Sequence, residues 1–177
     1  YNWNADSSKF VSADEAYVEM APGSGPRHFD FSPNGRFIYV VSEMKATVSV
    51  FKKNGDHYEM IQTVSALPDG YEGFHSGADI HVSKDGRFVY SSNRGLNSIA
   101  VFKRAGDGTI KRLENVSVEG NWPRNFALSP DGKYLFSANR KSNNITVFKI
   151  NQQSGKPVYT GQSVEVPSPV CLKFLVH

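Results

Sequence analysis

Apolar and polar residues alternate along this chain in short runs, and turn dipeptides punctuate the runs at regular places. Asn34-Gly35, Asp85-Gly86 and Asp131-Gly132 supply the positive φ of a tight hairpin, and each lies between apolar segments. A strand is predicted before each turn (residues 29–31, 80–82 and 126–128) and a second after it (37–41, 88–90 and 134–138). A third follows over 47–51, 98–102 and 145–150, and a more polar fourth over 58–64, 110–118 and 158–164. In 37–41, Phe37, Tyr39 and Val41 share one face, while Ile38 and Val40 share the other. A sheet apolar on both faces must be covered on both.

The four-strand unit repeats. Aligning Gly35, Gly86 and Gly132 gives periods of 51 and 46 residues, a little longer than a typical propeller blade. The phenylalanine of a V-F pair stands sixteen residues after each glycine (Phe51, Phe102, Phe148), and a charged residue eight after (Glu43, Arg94, Arg140). The predicted fold is all-β: a β-propeller of four-stranded antiparallel blades, radially stacked so that each covers the next. The chain reads as one propeller segment, with blades over 23–66, 77–120 and 122–165. Residues 1–22 read as the end of a broken blade, with 1–4 closing a third strand and 16–20 forming a fourth. Residues 166–177 read as the first strand of a further blade, centred on PVCLKF. About three full blades with partial ones at both ends make roughly half a ring. The unpaired ends imply that a missing half, or another copy of the chain, covers them.

Composition narrows the partners. Apolar residues make up 39% of the 177, as expected of a globular chain. Net charge is +3, and no Lys/Arg run exceeds two, so neither nucleic acid nor membrane is expected as a partner. No apolar stretch approaches the about 18 residues of a membrane span, and no signal peptide is visible. The single Cys171 excludes an internal disulfide and fits a reducing compartment or an indifferent one; a cytoplasmic setting is expected. A start at Tyr1 rather than Met implies that something upstream was removed or left out.

Hairpin arithmetic selects a site. With the turn near Asn34-Gly35, residues whose numbers add to about 70 face one another, which puts Arg27 opposite Glu43. The same rule pairs Ala78 with Arg94 and Arg124 with Arg140. Arg27, His28, Glu43, Asp79, Arg94, Arg124 and Asn125 should therefore ring the axial mouth away from the turns, with Arg140 at the corresponding place. Four arginines against two carboxylates suit a small anionic ligand, because guanidinium matches carboxylate and phosphate geometry. The plainer reading is that Arg27 and Glu43 form a cross-strand ion pair and the other arginines are solvated. His57 and His81 read as exposed or packing residues, and no spacing resembles a metal site. GxSxG, P-loop and GxGxxG patterns are missing, so serine hydrolysis and nucleotide binding have no support.

GSGPRHFDFSPNGRFIYVVSE, ADIHVSKDGRFVYSSNRG, WPRNFALSPDGKYLFSAN and VPSPVCLKF resemble the second half of the seven-bladed propeller lactonases, a family that includes 6-phosphogluconolactonases and is related to carboxy-muconate cyclases. The resemblance covers essentially the whole chain. It implies that Arg27, His28, Glu43 and Arg94 are catalytic and that Arg124 binds substrate; Asp79 and Asn125, placed at the same mouth by the hairpin arithmetic, are expected to bind substrate with it. Arg140 stands where the family has glutamine, which leaves its role open. The implied reaction is hydrolysis of 6-phosphogluconolactone to 6-phosphogluconate, with no metal or organic cofactor. In it, Glu43 takes a proton from water, arginines hold the oxyanion and the phosphate, and His28 protonates the leaving oxygen or positions a group. The alternatives are a cyclase-like lactonising enzyme and a non-catalytic propeller binding an anionic ligand or protein. The half-ring alone is expected to be inactive.

Overall fold

The computed structural model describes residues 1–12 and 17–175. Among them, β1 (Asn2–Asn4) and β2 (Lys9–Val11) pair as a small hairpin. Three four-stranded antiparallel sheets follow, each laid down in chain order. The first holds β3 (Pro26–Phe31), β4 (Phe37–Ser42), β5 (Thr47–Asn54) and β6 (His57–Ser65). The second holds β7 (Ser76–Val82), β8 (Phe88–Arg94), β9 (Ser98–Arg104) and β10 (Ile110–Ser117). The third holds β11 (Pro123–Leu128), β12 (Tyr134–Asn139), β13 (Asn144–Ile150) and β14 (Pro157–Glu165). The leading strands β3, β7 and β11 lie against one another, which is the inner wall of a propeller. No described helix is long and apolar enough to cross a membrane.

The S-x-N/D-G turns build themselves. Ser32 Oγ accepts from Phe37 N and donates to Asn34 Oδ1, which also accepts from Arg36 N. Ser83 with Asp85 and Ser129 with Asp131 repeat the pattern. Gly35, Gly86 and Gly132 take φ of +66°, +71° and +71°. All three turns share one face of the molecule: Pro33 packs on Gly86, and Lys84 Nζ donates to Pro130 O at 3.0 Å.

The two faces of each sheet divide as the alternation predicts. Phe37, Tyr39 and Val41 pack with Ile80, Val82, Val89 and Phe102 between the first two blades. Phe88 and Tyr90 pack with Phe126, Leu135 and Phe148 between the second and third. Ile38 and Val40 turn to the other side, with Phe51. Each fully buried side chain of this size contributes about 1.5–3 kcal/mol. A tyrosine locks each junction: Tyr39 Oη donates to Gly108 O at 3.0 Å, and Tyr90 Oη to Gly155 O at 2.9 Å.

The ends differ from expectation. Residues 17–20 carry no strand, and Ala16 lies outside the described residues; β2, close by in sequence, is the strand that pairs with β1. Residues 169–174 are not in a strand either. They lie against the third blade through Phe174 on Phe136 and through Leu172 N, which donates to Asn125 Oδ1 at 2.7 Å. A repeat pattern marks likeness of sequence, but a strand also needs a neighbour to bond.

Candidate functional site

At the end of each sheet away from the turns, the register of the inner hairpin breaks. Pro26 faces Ser42 but His28 faces Val41; Pro123 faces Asn139 but Asn125 faces Ala138. Arg27 and Arg124 are the extra residues of these bulges. In the second blade Gly77 faces Asn93 and Ile80 faces Ser91, so Ala78 and Asp79 share Ser92, whose Oγ accepts from Asp79 N. The regular pairings of Arg27 with Glu43, Ala78 with Arg94 and Arg124 with Arg140 are therefore not formed. A bulge bends its strand and re-aims the extra side chain. Here it sends Arg27 across to the next blade, where Nη1 donates to Ala78 O at 2.5 Å.

The ion pair at the mouth runs between blades. Arg94 Nη2 donates to Glu43 Oε1 at 2.7 Å, to Ser76 Oγ at 2.7 Å and to Gly77 O at 2.8 Å. Arg27 Nε is farther from Glu43, at 3.5 Å. Arg94 is 3% exposed, whereas the Glu43 side chain is 43% exposed. The hydrogen bond from Arg94 holds the Glu43 carboxyl below its ordinary range; the charges of Arg94, Arg27 and Arg124 add to this, against partial burial. Trp122 lies beside Arg94 (5.6 Å), stacks on Phe74 (5.7 Å between centroids) and carries Lys141 Nζ 3.5 Å from its ring centre.

Next to this pair, Asp79 collects donors from three blades. His28 Nδ1 lies 2.6 Å from Oδ1, which also accepts from Ile80 N. On Oδ2, His81 Nε2 stands at 3.2 Å, Asn125 Nδ2 at 2.5 Å and Phe126 N at 3.2 Å. Burial works against the Asp79 charge, but the hydrogen bonds and charge of His81, with those of His28 and Phe126 N, outweigh it. Asp79 therefore stays ionised far below the usual carboxylate range.

Arg27, His28, Asp79, His81, Arg124 and Asn125 line an open cleft of about 590 Å³, with Cys171 and Lys173 from the final segment. Arg124 makes no hydrogen bond or ion pair through its guanidinium among the described residues. Glu43 and Arg94 adjoin the cleft by way of Arg27. Arg140 stands apart, exposed, tied through its backbone N to Trp122 O. His75 turns its Nδ1 to Gly73 O in the loop before β7. His81, read from the sequence as an exposed or packing residue, packs edge-on against Phe126 and also lines the cleft, as does Lys173, which the sequence did not single out. Strand alternation was the available signal for His81, which lies two residues after Asp79 on β7; Lys173 stands in a segment that forms no strand, and no such signal marks it. No three His, Cys, Asp or Glu among the described residues are placed to hold a metal.

Known proteins carry the same features. Residues 1–174 match the family described as lactonase, 7-bladed beta-propeller. A 6-phosphogluconolactonase of Bacillus subtilis is 41% identical over 168 residues, which are 93% of this chain and 48% of the relative. A 6-phosphogluconolactonase of Erwinia tasmaniensis is 36% identical over 118 residues, 67% of this chain and 36% of the relative. The periplasmic gluconolactonase of Pseudomonas aeruginosa superposes with a TM-score of 0.88 at 41% identity, over 93% of this chain and 46% of that one. The chain thus spans less than half the length of each of these relatives. With its blades, its turns and its match across nearly every residue, the chain belongs to the seven-bladed β-propeller lactonase family.

Proposed function

We propose that this chain is part of a lactonase that opens 6-phosphogluconolactone to 6-phosphogluconate by attack of water on the ring carbonyl. The observation that carries this reading is the surplus of positive charge around one cleft. Arg27, Arg124 and Lys173 line it, while Asp79 and Glu43 are already engaged. Arg124, whose guanidinium makes no hydrogen bond or ion pair among the described residues, is suited to grip a phosphate with paired N–H donors. Arg27, at the centre of the cluster, is suited to the oxyanion of the tetrahedral intermediate. Water is activated within the Glu43–Arg27–His28 group, and the mechanism requires no cofactor. The substrate is a small anion; neither nucleic acid nor membrane enters the reading. The exposed, unpaired Cys171 is compatible with a reducing cytoplasm, where a phosphorylated sugar would be met. The chain by itself should be inactive, because the cleft is open where further blades of a ring would stand.

The likeness to a periplasmic gluconolactonase favours a second reading, in which the lactone bears no phosphate. The two separate in one assay on a complete-ring protein carrying this segment. With 6-phosphogluconolactone, Arg124→Ala should raise KM at least tenfold, as befits a lost charge-assisted contact of about 1.5–3 kcal/mol, and leave the unphosphorylated lactone unaffected. Equal handling of both lactones, with no effect of the substitution, favours the gluconolactonase reading. Turnover of neither leaves a propeller that only binds anions.

A further inference from the structure

We infer that His28, held by the buried Asp79, is the group that takes the proton from the attacking water, and that Glu43 serves as the counterion of Arg94. The inference rests on the lactonase reading and deepens it.

Both oxygens of Asp79 are occupied by N–H donors drawn from β3, β7 and β11. A carboxylate so surrounded accepts only, so the hydrogen between it and His28 belongs to the imidazole Nδ1. The neutral ring then carries its lone pair on Nε2. The His28 side chain is 43% exposed and lines the cleft, while the Asp79 side chain is 4% exposed. A buried carboxylate that fixes one tautomer of an imidazole, and steadies the imidazolium when it forms, is the arrangement that makes histidine an effective base. Arg27 Nη1 stands against the imidazole, 3.2 Å from Nε2 and 3.4 Å from Nδ1. The nitrogen that would take the proton and the cation that would meet the oxyanion therefore border one point.

Glu43 is placed differently. Its Oε1 is the acceptor for Arg94, a guanidinium almost without solvent, and taking up a proton would dissolve that pair. A carboxyl held below its ordinary range by that bond is also a weak base.

The step balances. As water oxygen bonds to the carbonyl carbon, His28 Nε2 takes one of its protons and the carbonyl electrons move to the oxyanion beside Arg27. Collapse breaks the bond from the carbonyl carbon to the ring oxygen, which receives the proton from the imidazolium. The carboxylic acid formed then loses its own proton to solvent. Among the described residues, the charged and titratable groups that line the cleft with His28 are Arg27 on its own strand, Asp79 and His81 on β7, Arg124 on β11, and Cys171 and Lys173 on the final segment.

The test is the pH profile of kcat/KM in a complete-ring protein carrying this segment. Wild type should lose activity on the acid side as the base is protonated. H28Q should lower kcat about 10²–10⁴-fold and abolish that acid limb. D79N should lower kcat more than it raises KM, because the tautomer is no longer fixed. Added imidazole should restore part of the turnover of His28→Ala. E43Q should be slower but retain the acid limb. An acid limb that survives in H28Q and disappears in E43Q overturns the assignment and makes Glu43 the base. Unchanged kcat in H28Q overturns it outright. No turnover of any lactone by wild type overturns the lactonase reading, and the inference with it.

Discussion

Glu43 and Asp79 are two of the carboxylates on which the acid stability of this fold should depend. Each has a folded-state pKa below its unfolded value, so the stabilisation is full above the unfolded pKa, about 4, and is lost as pH falls through the folded one. Denaturant unfolding of the chain should show stability declining below about pH 4, with a shallower decline in both D79N and E43Q. Three parallel curves would exclude both groups. At pH 7, E43Q should itself cost about 1–3 kcal/mol, since it leaves a buried guanidinium without its counterion; the exposure of Glu43 keeps the figure at the low end for a broken pair. Much of this cluster was legible in the sequence, because repeat offsets alone carry Arg27, Ala78 and Arg124, and likewise His28, Asp79 and Asn125, to matching levels. What they could not show was which partner each residue takes. Glu43 lies beside Arg27 by arithmetic, yet bonds to Arg94 of the next blade.

At the scale of the strand, the turns and the two-faced apolar pattern were readable, and the bulges were not. An S-x-N/D-G turn satisfies its own hydrogen bonds locally, so four residues specify it. A bulge at the mouth depends on what the neighbouring blade presents, and a regular ladder was the only available assumption. The strands of the inner hairpins (β3, β4, β7, β8, β11 and β12) also extend farther toward the mouth than the apolar runs did: β8 reaches Arg94 because Asn93 and Arg94 are buried polar residues with partners outside their own hairpin. The glycines at the blade junctions offer a sharp test of how the blades pack. Gly155 has φ +73°, and a Cβ there would overlap the Phe88 ring; Gly35 has φ +66° with open space around it. Gly35→Ala should cost about 1–2 kcal/mol, the backbone penalty alone. Gly155→Ala should add about 1–3 kcal/mol for overpacking the junction. Equal losses in the two melting curves would mean that the ring shifts freely and the junction is loosely packed.

For the whole molecule, the decisive comparison is between equivalent residues of successive blades. Phe37 and Phe88 are buried by the blade that follows each of them, whereas Tyr134, their counterpart in the third blade, is 37% exposed. On the other side, Phe29 is 61% exposed and Phe31 44%, beside Ile38, Val40 and Tyr58 around an open hollow of about 540 Å³. Contiguous exposed aromatic surface of this kind marks an interface. We propose that further blades of the same ring cover both faces, as the roughly double length of the relatives suggests. In the chain alone the faces should instead find each other. Light scattering should then report species larger than 19.6 kDa, growing with concentration, and the chain should bind a hydrophobic dye. Phe29→Ser and Tyr134→Ser together should lower both signals, and so should a separately produced polypeptide carrying the remaining blades. A monodisperse 19.6 kDa monomer that binds no dye would contradict the proposal, because the exposed rings would then have neither a partner nor a need for one.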